Sequence, residues 1–309
     1  MCLIEKKTNR YEAFNRPYFI YDRARDGFQV FLEAAGLKKN ERVLMPSYIG
    51  WSSREGSGVF DPVNKLKLGY EFYKVTSELE IDIESLRNAF KNNNVRVLVI
   101  IHYFGYVDKN YEEAIAIARN YGALVLEDEA HALLTDIIGG ISGRMGDACI
   151  FSLHKMLPMN AGGMLVFNNT SHKLISKITI HKKKDPAPWQ YDLKRIAEKR
   201  IHNVGILSRM LMPLRKIKRL RVKLKPGEIP QTYPIIVDRA VRDALYFDLN
   251  SSGYGAVSLY HSMIQQLDKK KYPDSFQLSD TILNLPVHQD IEEPMLRSMV
   301  TKIKELLYR

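Results

Sequence analysis

Apolar residues in the first two-thirds of the chain alternate between two spacings. From Phe28 to Leu37 they recur every three or four positions, which places Phe28, Phe31, Leu32 and Ala35 on one helical face, with Gly36 as a stop. Arg42 to Met45 predicts a short strand ended by Pro46. The run Val95 to Ile101, VRVLVII, is apolar and β-branched and predicts a strand buried on both faces, as parallel sheets require. Helical spacing returns over Tyr111 to Tyr121, with Ala114, Ile117 and Ala118 toward the sheet and Gly122 as the stop. Ala123 to Leu126 is the next buried strand, so this strand–helix–strand unit predicts a right-handed parallel crossover. Ala148 to Ser152 and Met164 to Phe167 read as two further short strands, parted by a loop rich in Gly, Pro and Asn.

The texture changes after about residue 170. Helical stretches become basic, and HKKKDPAPW (His181 to Trp189) reads as an exposed linker. From about Ile229 a second pattern starts: strand-like YPIIV, a helix over Arg239 to Leu249 stopped near Gly253, and a C-terminal helix over Pro294 to Leu307. Met295, Met299, Ile303 and Leu306 share one side of that last helix. The expectation is an α/β fold with a mostly parallel central sheet over residues 1–228, including a basic helical segment at 170–225. A smaller C-terminal α/β domain follows over 229–309. No internal repeat is visible.

At 309 residues the chain has room for about two domains of roughly 150 residues. With 45% hydrophobic and 26% charged residues, disorder and low complexity are excluded for the chain as a whole. No run approaches the roughly 18 apolar residues of a membrane span, and MCLIEKKTNRYEAF does not read as a secretory signal. Only Cys2 and Cys149 occur, which suits a reducing cytoplasm. The net charge of +11 suits an anionic partner. Seven of the thirteen residues from Pro213 to Lys225 are Lys or Arg, either a solvated face or a surface for an anion or acidic lipid. Neither zinc-finger spacing nor an aromatic RNA-binding signature accompanies it, so nucleic acid is not the expected partner.

Four signals sit where strands end or helices begin, the place where open α/β sheets bind ligands. Asp128, in Glu127-Asp128-Glu129-Ala130-His131, follows the strand ALVL. It can hold a protonated ring nitrogen or merely cap a helix. Lys155, 27 residues later in Phe151-Ser152-Leu153-His154-Lys155, is either a surface lysine or one desolvated for Schiff-base chemistry. Ala161-Gly162-Gly163 follows it, permitting a turn. Arg25-Asp26-Gly27 opens the first helix, whose free N–H groups attract phosphate. Tyr48 and Trp51 offer rings that stack on a planar cofactor or pack in the core.

In order and spacing, these pieces resemble the DegT/StrS family of pyridoxal-phosphate-dependent sugar aminotransferases, which have the type I fold. The matching pieces are LMPS (Leu44 to Ser47), IHYFG (Ile101 to Gly105), LEDEAHA (Leu126 to Ala132), Gly146-Asp147, FSLHK (Phe151 to Lys155), AGGMLVF (Ala161 to Phe167) and ILNLPVHQDI (Ile282 to Ile291). The resemblance implies that Lys155 carries the Schiff base and Asp128 the pyridine nitrogen. It implies that Ser152 and the backbone at Ala24 and Arg25 hold the cofactor phosphate. His131 takes the place of the usual Gln beside the phenolic oxygen, and Tyr48 or Trp51 stacks on the ring. The implied reaction is transamination of a keto sugar, usually nucleotide-linked, with glutamate as donor, in a homodimer. No metal is implied.

Several residues depart from the family pattern. Arg23-Ala24-Arg25 stands where the commoner form has Ser-Gly-Thr, and the spacing from Asp128 to Lys155 is about two residues short. Leu207, in Gly205-Ile206-Leu207-Ser208-Arg209-Met210, replaces an amide that in the family reaches the partner's cofactor phosphate. Two alternatives therefore stand beside transamination. One is sugar dehydration, for which a histidine replaces the lysine and His154 adjoins Lys155. The other is a non-catalytic, cofactor-binding protein in a surface-polysaccharide pathway.

Overall fold

The computed structural model describes residues 15–178 and 188–308. Cys2 and most of the expected linker at 181–189 fall outside these residues. Of the linker, Pro188 and Trp189 are described, in one helical turn. The described chain opens with an edge strand, Tyr18–Tyr21 (β1), and helix Ala24–Ala35 (α1). The helix buries Phe28, Phe31, Leu32 and Ala35, the face its spacing predicts, and Gly36 ends it in the left-handed conformation with φ 60. Next come Arg42–Pro46 (β2), the short helix Phe60–Lys65 (α2), Gly69–Tyr73 (β3) and Ile83–Asn92 (α3). Asp82 starts α3 by accepting the Ser85 N–H at 2.9 Å. Val95–Ile101 (β4), Tyr111–Asn120 (α4), Leu124–Asp128 (β5), Leu133–Ile137 (α5), Ala148–Ser152 (β6) and Gly163–Phe167 (β7) complete this part.

The seven strands form one sheet in the order β1-β7-β6-β5-β4-β2-β3. The run from β6 to β3 is parallel, whereas β7 pairs antiparallel with both β6 and β1. The apolar run of β4 and the strand β5 are buried along nearly their whole length, and α4 turns Ala114, Ile117 and Ala118 inward. Burial on both faces is why the central strands carry no alternating polar residues.

The second part is built from Leu193–Leu211 (α6), Lys218–Arg219 (β8), Thr232–Ile236 (β9), Arg239–Ser251 (α7), Pro273–Thr281 (α8), Ile282–Pro286 (β10) and Glu293–Leu307 (α9). Its sheet is antiparallel, β10-β9-β8. Its core joins Val204, Leu207, Leu211, Leu214 and Ile217 to Tyr233, Ile235, Leu249, Met299 and Ile303. The expected boundary at 228/229 thus falls inside this unit, between β8 and β9. Leu214 and Ile217 of the basic segment pack into this core, because α6 ends just before Pro213 and the chain turns back, whereas Leu220 joins the first core and Val222 is exposed. On α9 the buried stripe is Leu296, Met299, Val300, Ile303 and Leu307, and Met295 is exposed, contrary to the expected face. Ile264, Leu267, Tyr272 and Leu278, although late in the chain, pack on the first core.

Candidate active site

β4, β5 and β6 end side by side, with Ile101 paired to Asp128 and Asp128 to Ile150. Their carboxyl ends open into a cleft of about 340 Å³. Side chains alternate along a strand, so Glu127 and Asp128 face opposite ways. Asp128 lines the cleft, while Glu127 and Glu129 meet His102 in the layer behind it.

Asp128 is buried, and its Oδ1 accepts the Ala130 N–H at 2.9 Å. Its other carboxylate oxygen receives no hydrogen bond from the described residues. Burial pushes its pKa up, against the opposing pull of Lys155 and the Ala130 N–H. Lys155 stands in a single helical turn, Leu153–Lys155, directly after β6. Its Nζ lies 3.0 Å from His131 Nε2. Loss of water lowers its pKa, Asp128 and Glu55 oppose the shift, and Arg25 adds to it. Burial and the neighbouring Lys155 hold the pKa of His131 well below that of a free histidine. His131 Nδ1 in turn accepts the Phe104 N–H at 3.3 Å.

The layer behind is fully buried. His102 Nε2 lies 3.0 Å from Glu127 Oε2 and 3.2 Å from Glu129 Oε1. Glu127 also accepts the Tyr111 hydroxyl at 2.6 Å and the N–H groups of Gly143, Met145 and Gly146. Ser142 donates to Glu129 at 2.8 Å. These contacts fix the ends of β4 and β5, and so place Asp128.

At the other end of the cleft stands the N-terminus of α1, with Ala24 and Arg25 in the wall beside Ser152 and His154. Gly163 allows this approach. A Cβ there would sit 2.1 Å from the carbonyl carbon of Arg23. Arg25 bridges to the Glu55 carbonyl and, at 3.2 Å, to Asp61.

The two aromatic candidates part company. Trp51 lines the cleft and is 47% exposed. Tyr48 does not line it: fully buried, its ring packs on Tyr103 and Tyr260. Core packing therefore describes Tyr48, and Trp51 is left as the accessible ring of the pair. Tyr260 and Glu55 also line the cleft, and neither was expected. Tyr260 arrives from the distant segment 258–263, joined to the cleft by the Gly50–Met263 bridge and the Trp51 N–H to Ser262 carbonyl bond, 2.9 Å. It has φ 61, and its ring leaves no room for a Cβ on Gly50. No motif marks it in the sequence.

Residues 23–185 match the profile of the DegT/DnrJ/EryC1/StrS aminotransferase family. The chain is 31% identical over 113 residues to UDP-4-amino-4,6-dideoxy-N-acetyl-beta-L-altrosamine transaminase of Campylobacter jejuni, covering 36% of this chain and 30% of that protein. It is 36% identical over 104 residues to the spore coat polysaccharide biosynthesis protein SpsC of Bacillus subtilis, covering 33% and 26%. The chain thus spans less than a third of either curated relative's length. The fold is shared with a DegT DnrJ EryC1 StrS aminotransferase from Brucella abortus, at a TM-score of 0.75 and 18% identity, over 93% of this chain and 85% of that one.

Proposed function

We propose that this chain, which belongs to the DegT/DnrJ/EryC1/StrS aminotransferase family, is a pyridoxal-phosphate-dependent aminotransferase that moves an amino group from glutamate to a nucleotide-linked keto sugar. The observation that carries this reading is the pairing of Lys155 and Asp128 in one cleft, at the ends of adjacent strands. The names of the Campylobacter and Bacillus relatives support a sugar as the acceptor.

The residues present fit the cofactor. Asp128 has a carboxylate oxygen to spare for a ring N–H, and the amino end of α1 is a ready anion site. When bound, pyridoxal phosphate supplies an electron sink next to the carbon that gains or loses nitrogen. Asp128 would keep the ring nitrogen protonated through a charge-assisted hydrogen bond. The backbone at Ala24 and Arg25, with the Ser152 hydroxyl, would hold the phosphate. Trp51 would cover one face of the ring. Lys155 would tether the cofactor and, once released, carry a proton at Nζ between substrate carbon and cofactor carbon.

Dehydration requires a histidine in the lysine's place. His154 is exposed and its Nδ1 lies 3.4 Å from Ser152 Oγ, whereas Lys155 reaches His131 at 3.0 Å beside Asp128, which favours Lys155 in that role. The reading includes a homodimer, the assembly the type I fold implies. Leu207, however, is fully buried in this chain's own second core, so it is not available to a partner's cleft. Among the described residues no helix is long and apolar enough to cross a membrane. A cytoplasmic site of action accords with the free buried thiol of Cys149.

Absorbance tests the proposal. The purified protein with pyridoxal phosphate should absorb in the near-visible, and glutamate should remove that band. Borohydride should trap the cofactor on Lys155, and Lys155→Ala should abolish both trapping and turnover. A cofactor trapped on another lysine would falsify the assignment. A band that no amino donor alters would leave only the non-catalytic reading.

A further inference from the structure

Phe104 has φ 59, a left-handed conformation that side-chain-bearing residues avoid, yet it is fully buried. The surroundings pin it there. Its carbonyl accepts the Gln231 N–H at 2.8 Å. A Cβ on the next residue, Gly105, would meet the Ile229 carbonyl at 2.8 Å. What this backbone does is aim the Phe104 N–H at His131 Nδ1, 3.3 Å away. The Phe104 ring also lies nearly parallel to the imidazole, 5.7 Å between centroids at 11°. On the other side of that imidazole, Nε2 lies 3.0 Å from Lys155 Nζ.

A neutral imidazole has one N–H. If Nδ1 accepts, Nε2 carries the hydrogen. Lys155 Nζ then faces a donor. An ammonium has three donors and no acceptor, so only the free amine can complete this contact. We propose that the strained backbone of Phe104 fixes His131 as the Nε2–H tautomer, and that His131 thereby holds Lys155 as a free amine ready to capture an aldehyde. The inference deepens the cofactor reading above and rests on it. Capture joins Nζ to the carbonyl carbon and releases one water, which takes both amine hydrogens and the carbonyl oxygen. An ammonium must first lose a proton.

The other groups facing Lys155 divide. The loss of water is the largest influence and opposes the charged form, with Arg25 on α1 adding to it, whereas Asp128 on β5 and Glu55 in the loop after β2 favour it. The adjacent His154 also interacts with the Lys155 charge. Tyr260 packs on the far side of His131, 5.9 Å between centroids, and brings no charge. A hydrogen bond donated by His131 acts in the same direction as the loss of water, toward the free amine. His131 is a positioning residue: it acts through Lys155. A glutamine there can do the same, accepting from Phe104 through its oxygen and donating to Lys155 through its nitrogen.

The test uses the full chain stripped of cofactor. The rate at which acetic anhydride labels Lys155, read by mass spectrometry across pH, reports its amine fraction. Wild type and His131→Gln should share a midpoint, and His131→Leu should move it up by at least about one pH unit, roughly a tenfold smaller amine fraction. Equal midpoints in wild type and His131→Leu would overturn the proposal. So would a His131→Gln midpoint that follows His131→Leu. Nitrogen-15 spectra of imidazole-labelled wild type give a second readout, independent of how the variants fold. They should show the proton on Nε2 at neutral pH, and a proton on Nδ1, or on both nitrogens, would also overturn it. Neither readout needs bound cofactor. Failure here is therefore distinct from failure to bind pyridoxal phosphate or to transaminate.

Discussion

His102 Nε2 lies 3.0 Å from Glu127 Oε2, with neither side chain touching solvent. Burial works against a charge on this imidazole, but Glu129 and Glu127 outweigh it and raise the pKa to about 9. An unfolded histidine titrates near 6.5. His102 therefore contributes stability that is full below about pH 6.5 and is lost as pH rises through about 9. The contribution is roughly 3 kcal/mol. Urea unfolding at about pH 6 and about pH 10 should show that loss in wild type and a much smaller one in His102→Gln. Parallel pH profiles for the two proteins would mean that His102 is neutral throughout.

Asp128→Asn should still bind cofactor but lose turnover by at least about two orders of magnitude, or about 2.7 kcal/mol of barrier. The amide can accept a hydrogen bond, but it cannot stabilise a positive ring nitrogen. Steady-state kinetics with glutamate measures the effect. Near-normal turnover would remove Asp128 from the chemistry.

Gly163→Ala tests how the phosphate end is built. Its Cβ would lie 2.1 Å from the Arg23 carbonyl carbon and 2.3 Å from the Ala24 nitrogen, both backbone atoms that cannot rotate away. We expect a stability loss of about 1–3 kcal/mol together with weaker binding of pyridoxal phosphate. Thermal unfolding with and without cofactor separates the two effects. An unchanged melting temperature with unchanged affinity would show that β7 and α1 are less closely joined than described.

The basic segment has internal partners. Lys216 donates to the Leu307 carbonyl, Lys218 pairs with Glu78, and Arg219 reaches the Ser208 carbonyl at 3.2 Å. None of the three lines the cleft. Replacing all three with Gln should cost roughly 1–2 kcal/mol of stability and leave the KM for the sugar within about twofold. A large rise in KM would place the segment on the substrate's path. Salt-sensitive pelleting with acidic vesicles would place it on a membrane.

Where the sequence was informative, the signal was local. α1 and α4 each carry their own period and stop residue, β4 is an unbroken apolar run but for Arg96, and Asp128, Ser152 and Lys155 are placed by the strands before them. β1 and β3 were missed because YFIY and GYEFY are short and only partly buried. On α9 two stripes share Met299 and Ile303, and only the packing of the second core chooses Leu296 over Met295. Tyr48 and Trp51, three positions apart, looked interchangeable. Tyr103 and Tyr260, remote in sequence, enclose Tyr48 and leave Trp51 at the cleft. Tyr260 itself was invisible because its place depends on pairing between 49–51 and 262–264.

That pairing bears on the order in which the protein becomes competent during synthesis. Strands β1 to β7 leave the ribosome long before residue 258, so a nascent chain can own Lys155, Asp128 and the amino end of α1 while one wall of the cleft is still untranslated. Ile49, Gly50 and Trp51 then have free edges, with no Ser262 or Met263 to pair with. Joining segments more than two hundred residues apart is a slow, late event in folding. Chains truncated before residue 258 should therefore hold pyridoxal phosphate in an open, readily exchanging site, and tight capture should begin only once the segment 258–264 has been made and has paired with 49–51.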